Sequence, residues 1–150
     1  MILNKCRLCS SKKLFKFLDL GLHPPSDQFK KKTELDSPTT YYPLKVYSCY
    51  SCGFKQLNYV VEPEILYQEN YPYESSITKA GKKHWFEFAE SVTKEYKLKN
   101  NDLAVDIGSN TEVLLSGFKK NKLRIVGIDP APNICKIARR RGVPTINSFF

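Results

Sequence analysis

The chain has 150 residues, 41% of them hydrophobic and 26% charged, a globular composition that excludes a fibrous or disordered protein. It has no apolar run long enough to span a membrane, and Met1-Ile2-Leu3-Asn4-Lys5-Cys6 lacks the apolar core of a signal peptide. A cytoplasmic, reducing location is therefore expected, where paired cysteines are more often metal ligands than disulfides. The net charge, 24 − 15 = +9, permits a polyanionic partner. The basic runs Lys30-Lys31-Lys32 and Arg139-Arg140-Arg141 are short, however, and read as solvated faces.

The chain changes character near residue 75. Residues 1–75 are rich in Tyr, Pro, Lys and Cys and show little helical periodicity. Short strands fit best: one ends near Leu18-Asp19-Leu20-Gly21, and others run from Tyr42 to Ser48 and from Phe54 to Val61. Residues 77–97 form a predicted linking helix, with Ile77, Gly81, Trp85, Phe88, Val92 and Tyr96 on one apolar stripe and Ser75 or Ser76 as its N-cap. His84 on this helix is expected to be structural.

From residue 102 the pattern is strand–turn–helix–strand–helix–strand. Leu103–Ile107, Leu123–Ile128 and Val143–Ile146 are the predicted strands. Thr111–Lys120 and Asn133–Arg141 are the predicted helices, the latter closed by Gly142 at its C′ position. Short apolar strands separated by helices imply parallel pairing. The fold class is therefore α/β: a small β-rich N-terminal domain over 1–75, a linking helix over 76–101, and an incomplete Rossmann-like domain over 102–150. The fifth cysteine, Cys135, is expected in the core of the last helix.

Cys6-Arg7-Leu8-Cys9 and Cys49-Tyr50-Ser51-Cys52 are two C-x2-C pairs. Two residues between ligands let one tight turn aim both sulfurs at one ion, and two such turns complete a tetrahedral four-sulfur zinc site. Such a site is coordinatively closed, so its role is structural. The 39 residues between the pairs exceed the usual gap and must fold as a loop or hairpin of their own. A region this small also needs a staple beyond its core.

Asp106-Ile107-Gly108-Ser109-Asn110 follows a strand and precedes a helix. Gly108 permits a sharp turn, and Asp129, at the end of the next strand, is placed to accept hydrogen bonds from ribose hydroxyls. The G-x-G-x-x-G fingerprint of dinucleotide sites is absent, and an acid at the strand tip repels a pyrophosphate. It suits S-adenosylmethionine, which carries an ammonium and a sulfonium.

Taken in order, Cys6–Cys9, Leu18-Asp19-Leu20-Gly21, Cys49–Gly53, Tyr71-Pro72-Tyr73-Glu74-Ser75-Ser76, Asp106–Asn110, Gly127–Asn133 and Gly142-Val143-Pro144-Thr145 resemble the S-adenosylmethionine-dependent sugar C-methyltransferases of deoxysugar biosynthesis. The resemblance runs over essentially the whole chain. It implies zinc on Cys6, Cys9, Cys49 and Cys52. It implies S-adenosylmethionine with Asp106, Gly108, Ser109 and Asn110 beside its methionine part and Asp129 on its ribose, and Tyr71 or Tyr73 facing the substrate cleft. The implied substrate is a nucleotide-linked keto sugar.

Two departures stand out. Thr111-Glu112 replaces the family's Asp-Gly, placing a negative charge near the cofactor's carboxylate, so weakened cofactor affinity is expected. The family is also much longer. A truncated chain of low or no activity is expected, either a non-catalytic remnant or the partner of a chain carrying the missing half. A competing reading is a basic zinc ribbon that binds nucleic acid, which leaves the strand-tip acids unexplained.

Overall fold

The structure is a computed structural model that describes residues 1–67 and 71–150. The chain forms two compact units, Met1–Leu66 and Tyr67–Phe150.

In the first unit, β1 (Leu14–His23), β2 (Tyr42–Cys49) and β3 (Lys55–Leu57) form an antiparallel sheet in the order β1-β2-β3. The long insert between the cysteine pairs is thus mostly a hairpin. Its register places Leu14 opposite Cys49, so β1 leaves the first cysteine turn where β2 enters the second. The register shifts between Asp19 and Leu22, where Gly21 takes a φ of +81° that side chains rarely adopt. A 3-10 turn (Lys32–Glu34) lies within the insert, and α1 (Pro63–Tyr67) follows the sheet.

The strand expected over Phe54–Val61 is only three residues long. Beyond it Tyr59 makes a single bridge to Ile2, the Asn58 amide donates to Lys45 O of β2 while its carbonyl accepts from the Leu3 amide, and Val60 exchanges bonds with Met1. The helix α1 gave no periodic signal because five residues are too few to show one.

The buried residues of this unit are Cys6, Ser48, Cys49 and Gln56. Many of its large aliphatic and aromatic side chains, among them Phe17, Leu20, Leu22 and Phe29, are exposed, and others, such as Phe15, Leu44 and Val46, are only half-buried. The first unit therefore has no aliphatic core, and what is buried gathers around sulfur.

The second unit contains α2 (Lys79–Glu95), β4 (Leu103–Ile107), α3 (Val113–Lys120), β5 (Arg124–Asp129), α4 (Pro132–Arg140) and β6 (Thr145–Asn147). The three strands are parallel, in the order β4-β5-β6, as the alternation of strands and helices predicts. This is one half of a doubly wound sheet, a partial Rossmann-like fold. Leu115, Phe118, Leu123, Ala138, Val143 and Ala89 form its buried cluster, with Ala104 and Ile125 of the sheet packed against it. Leu115, Ile134 and Val143 are almost wholly buried, and each contributes about 1.5–3 kcal/mol by leaving water. Cys135 is buried as expected.

The helix α2 departs from the predicted stripe. Its N-cap is Thr78, which is extended and whose Oγ1 accepts a hydrogen bond from the Gly81 amide at 3.0 Å. Ser75 and Ser76 lie upstream, bonded elsewhere. The most buried residue of α2 is Ala89, while Ile77, Phe88 and Tyr96 are exposed. The small side chain won because α3 comes very close: a Cβ on Gly117 would lie 2.8 Å from the Ala89 Cβ. Backbone proximity selected Gly and Ala at the contact and turned the larger residues to its margins.

Candidate metal centre and cofactor cradle

The two cysteine turns are built alike. In the first, the Cys6 amide donates to Ser11 O at 2.8 Å and the Ser10 amide donates to Cys6 O at 2.9 Å. In the second, the Cys49 amide donates to Phe54 O at 2.9 Å and the Gly53 amide donates to Cys49 O at 2.9 Å. The residue after each second cysteine is left-handed, with φ of 60° at Ser10 and 74° at Gly53. Gly53 signals this geometry in the sequence; Ser10 adopts it at some steric cost and is found only by laying the two turns over one another.

The four sulfurs lie within 4.8 Å of one another. Cys6 and Cys52 approach to 3.6 Å, as do Cys9 and Cys49. Those separations are far beyond a disulfide bond. They match the edge of a tetrahedron with zinc–sulfur bonds of about 2.3 Å, roughly 3.8 Å. The donor set and spacing therefore fit one zinc ion.

The sulfurs differ electrostatically. The Cys9 amide draws the Cys6 thiol below the ordinary range, against the opposing effect of burial. Burial pushes Cys49 up, but amide hydrogen bonds from Cys52 and Ser51, with the Cys9 and Cys52 thiols, outweigh it and bring it down to about 6. The Phe54 amide draws Cys52 down, but burial and the other sulfurs push it up to about 12. The cluster thus favours some thiolate near neutral pH and resists gathering four negative charges without a cation. Zinc supplies that cation and needs the thiolate form.

Gln56 supports the first turn and carries no sequence signal. From β3 its Oε1 accepts from the Arg7 amide at 2.8 Å and its Nε2 donates to Lys5 O at 2.9 Å. It is 6% exposed, and it orients backbone beside the ligands in the manner of outer-shell partners of metal sites.

In the second unit the predicted cradle residues come together at the tips of β4 and β5. Gly108 has a φ of +75° and nothing within 4 Å of where a Cβ would stand, so the turn is open on that side. The amides of Gly108 and Ser109 both donate to Ile128 O, at 2.8 and 3.1 Å. The Asn110 amide donates to Asp129 Oδ2 at 2.9 Å, and the Thr111 amide donates to Asn110 Oδ1 at 2.9 Å. The loop has spent its amides internally, so this turn presents no nest for a pyrophosphate.

Asp129 is buried, and its other oxygen accepts from the Ala131 amide at 2.9 Å. Burial and the nearby Asp129 charge push the Asp106 carboxyl above the usual range. Among the described residues neither acid forms a salt bridge. The Ser109 hydroxyl turns inward: it is buried without a partner, and a Cβ on Gly127 would stand 2.4 Å from it. Asn110 is left-handed, with φ of 51°. Its side chain accepts from the Ser75 amide at 2.9 Å and donates to Tyr73 O at 3.0 Å.

Tyr71 and Tyr73 are tied down by their backbones. Asn133 Nδ2 donates to Tyr71 O at 2.9 Å, the Tyr71 ring lies 5.9 Å from that of Tyr67, and the Tyr73 side chain is exposed. His84 is exposed on α2, its ring 4.9 Å from Trp85.

A family described as "Putative zinc binding domain" matches residues 6–67, which include all four clustered cysteines. C-methyltransferase NovU of Streptomyces niveus is 30% identical over 148 residues, which cover 99% of this chain and 35% of that protein. Over nearly its whole length the chain is similar to that C-methyltransferase. It spans about a third of the length of the curated relative it matches. The likeness reaches across both units, so it takes in the parallel half-sheet as well as the metal-binding turns. Among the described residues no helix is long and apolar enough to cross a membrane.

Glu112, expected to put a negative charge near the cofactor's carboxylate, is paired within the second unit. Its carboxylate receives Arg141 Nη1 at 2.7 Å, so its charge is met within the protein. Two members of the exposed Arg139–Arg141 run also bond within the protein: Arg139 Nε donates to Thr145 O at 2.8 Å, and Arg141 bonds Glu112.

Proposed function

We propose that the chain carries the zinc-clamped unit and the first half of the S-adenosylmethionine cradle of a C-methyltransferase acting on nucleotide-linked keto sugars. The observation that carries this reading is the pair Asp106 and Asp129 at adjacent tips of parallel strands, without a counter-ion among the described residues and beside a loop whose amides are already bonded. Such a site repels a pyrophosphate and attracts a cation, which argues for the aminoacyl end of S-adenosylmethionine over a dinucleotide.

When bound, the cofactor supplies an electrophilic methyl on its sulfonium. In this reading Asp106 holds the ammonium, and the open turn at Gly108 lets backbone approach the methionine part. Asn110 and Ser109 shape that turn through backbone and side-chain bonds, the Ser109 hydroxyl acting from inside the fold. Asp129, oriented by the Asn110 and Ala131 amides, keeps lone pairs for the ribose hydroxyls. Tyr71 and Tyr73 border the substrate side. The acceptor carbon is activated by loss of the proton alpha to its carbonyl, which needs a base positioned near it. None of the described residues is assigned as that base. Zinc stays structural, since four thiolates leave no open position.

Calorimetric titration of the zinc-loaded chain with S-adenosylmethionine tests the reading. Saturable binding that Asp106→Asn abolishes supports it. Equal binding by the wild type and Asp106→Asn, or binding of NAD in preference, contradicts it.

A further inference from the structure

Arg141 stands at the C-cap of α4, yet its side chain reaches three other places in the second unit. Nη1 donates to Glu112 Oε2 at 2.7 Å and to Ser76 Oγ at 2.8 Å, and Nη2 lies 3.9 Å from Glu74 Oε2. The Glu112 side chain is 11% exposed and that of Arg141 43%, so the pair is half-sheltered from water. Ser76 is buried. Next to it, the Ser75 amide donates to Asn110 Oδ1 at 2.9 Å, inside the cradle loop. One guanidinium therefore joins the end of α4, the start of α3 and the segment 74–76.

Glu112 makes this junction unusual. It is the N-cap of α3 but forms no side-chain cap bond, although a carboxylate there is normally drawn to the amides of the first turn. Arg141 draws it aside instead.

We propose that Arg141 is a positioning residue of the cradle: it clamps the Glu74–Ser76 segment onto the cofactor loop and holds the Glu112 charge away from the cofactor's carboxylate. The second half of this statement rests on the cofactor reading above; the clamp does not.

The experiment uses the zinc-loaded chain and its variants Arg141→Gln, Arg141→Lys, Glu112→Gln and the double variant Arg141→Gln/Glu112→Gln. Without ligand, amide exchange at Ser75 rises about tenfold in Arg141→Gln, the size of one lost charge-assisted bond, while exchange in β5 stays unchanged and shows that the fold persists. With S-adenosylmethionine as the probe, Arg141→Gln binds about tenfold more weakly. The double variant regains part of that loss because the Glu112 carboxylate, which Arg141→Gln leaves unpaired beside the cofactor loop, is gone. Arg141→Lys, which keeps the charge but not the fork, falls between.

Unchanged Ser75 exchange in Arg141→Gln overturns the clamp. A double variant as weak as Arg141→Gln overturns the electrostatic role. A wild type that does not bind S-adenosylmethionine overturns the cofactor reading and with it the electrostatic role, while the exchange arm still decides the clamp.

Discussion

Asp106 is the residue where stability and the proposed function pull apart. Its carboxyl is held above the usual range by burial and by Asp129, so the folded state disfavours its charge. An acid raised in this way binds its proton more tightly folded than unfolded. Stability therefore falls as pH rises from the unfolded value of about 3.9 through the folded one, and the cost persists at neutral pH. Asp106→Asn is expected to raise the melting temperature of the ligand-free chain at pH 7, with the difference shrinking at pH 4. An Asn variant less stable than wild type at pH 7 would show that the acid is compensated. The cysteines and both acids were legible in the sequence because their chemistry needs those residue types. Gln56 and Arg141 were not: one is a lone polar residue in a short strand, the other sits in a run of like charge, and only the folded chain shows what each one touches.

At the scale of elements, the parallel alternation from β4 to β6 could be read directly, since three apolar strands separated by two short helices leave few other topologies. The buried face of α2 could not. Its periodic large residues suggested the stripe, but the contact with α3 is set by how closely two backbones approach, which hydrophobicity does not encode. Gly117→Ala tests this. Alanine favours a helix by about 1 kcal/mol over glycine, but here the new methyl would sit 2.8 Å from the Ala89 Cβ and 3.4 Å from the Phe86 Cα. Overpacking of this kind costs about 1–3 kcal/mol, so a net loss of stability in denaturant unfolding is expected. The companion Ala89→Gly/Gly117→Ala is expected to recover part of it. A stabilised Gly117→Ala would mean that the helices separate freely.

Across the whole molecule, each unit solves the problem of a small core differently. The first buries sulfur and little else. The second buries one side of its sheet under α3 and α4 and leaves the other bare: Leu103, Val105 and Ile107 of β4 and Ile146 of β6 are each about half exposed. Ile107 and Ile146 share the register partner Ile128, so these side chains form one apolar surface. Parallel sheets are ordinarily covered on both faces. The 150-residue chain is expected to bind a hydrophobic dye such as ANS in its folded state, and Val105→Lys is expected to reduce that fluorescence without loss of secondary structure. Folded protein that ignores the dye would show that this face is covered in solution.

The two cysteine turns, the 3.6 Å sulfur pairs and the lack of an aliphatic core in the first unit lead to one claim, that a metal ion takes the place of that core. X-ray absorption at the zinc edge of the purified chain, with metal content measured on the same sample, tests it most directly. The account predicts one zinc per chain with four sulfur neighbours at about 2.3 Å, and loss of the antiparallel sheet when a chelator removes the ion. Nitrogen or oxygen neighbours in place of sulfur, or a first unit that keeps its sheet after the metal is gone, would contradict it.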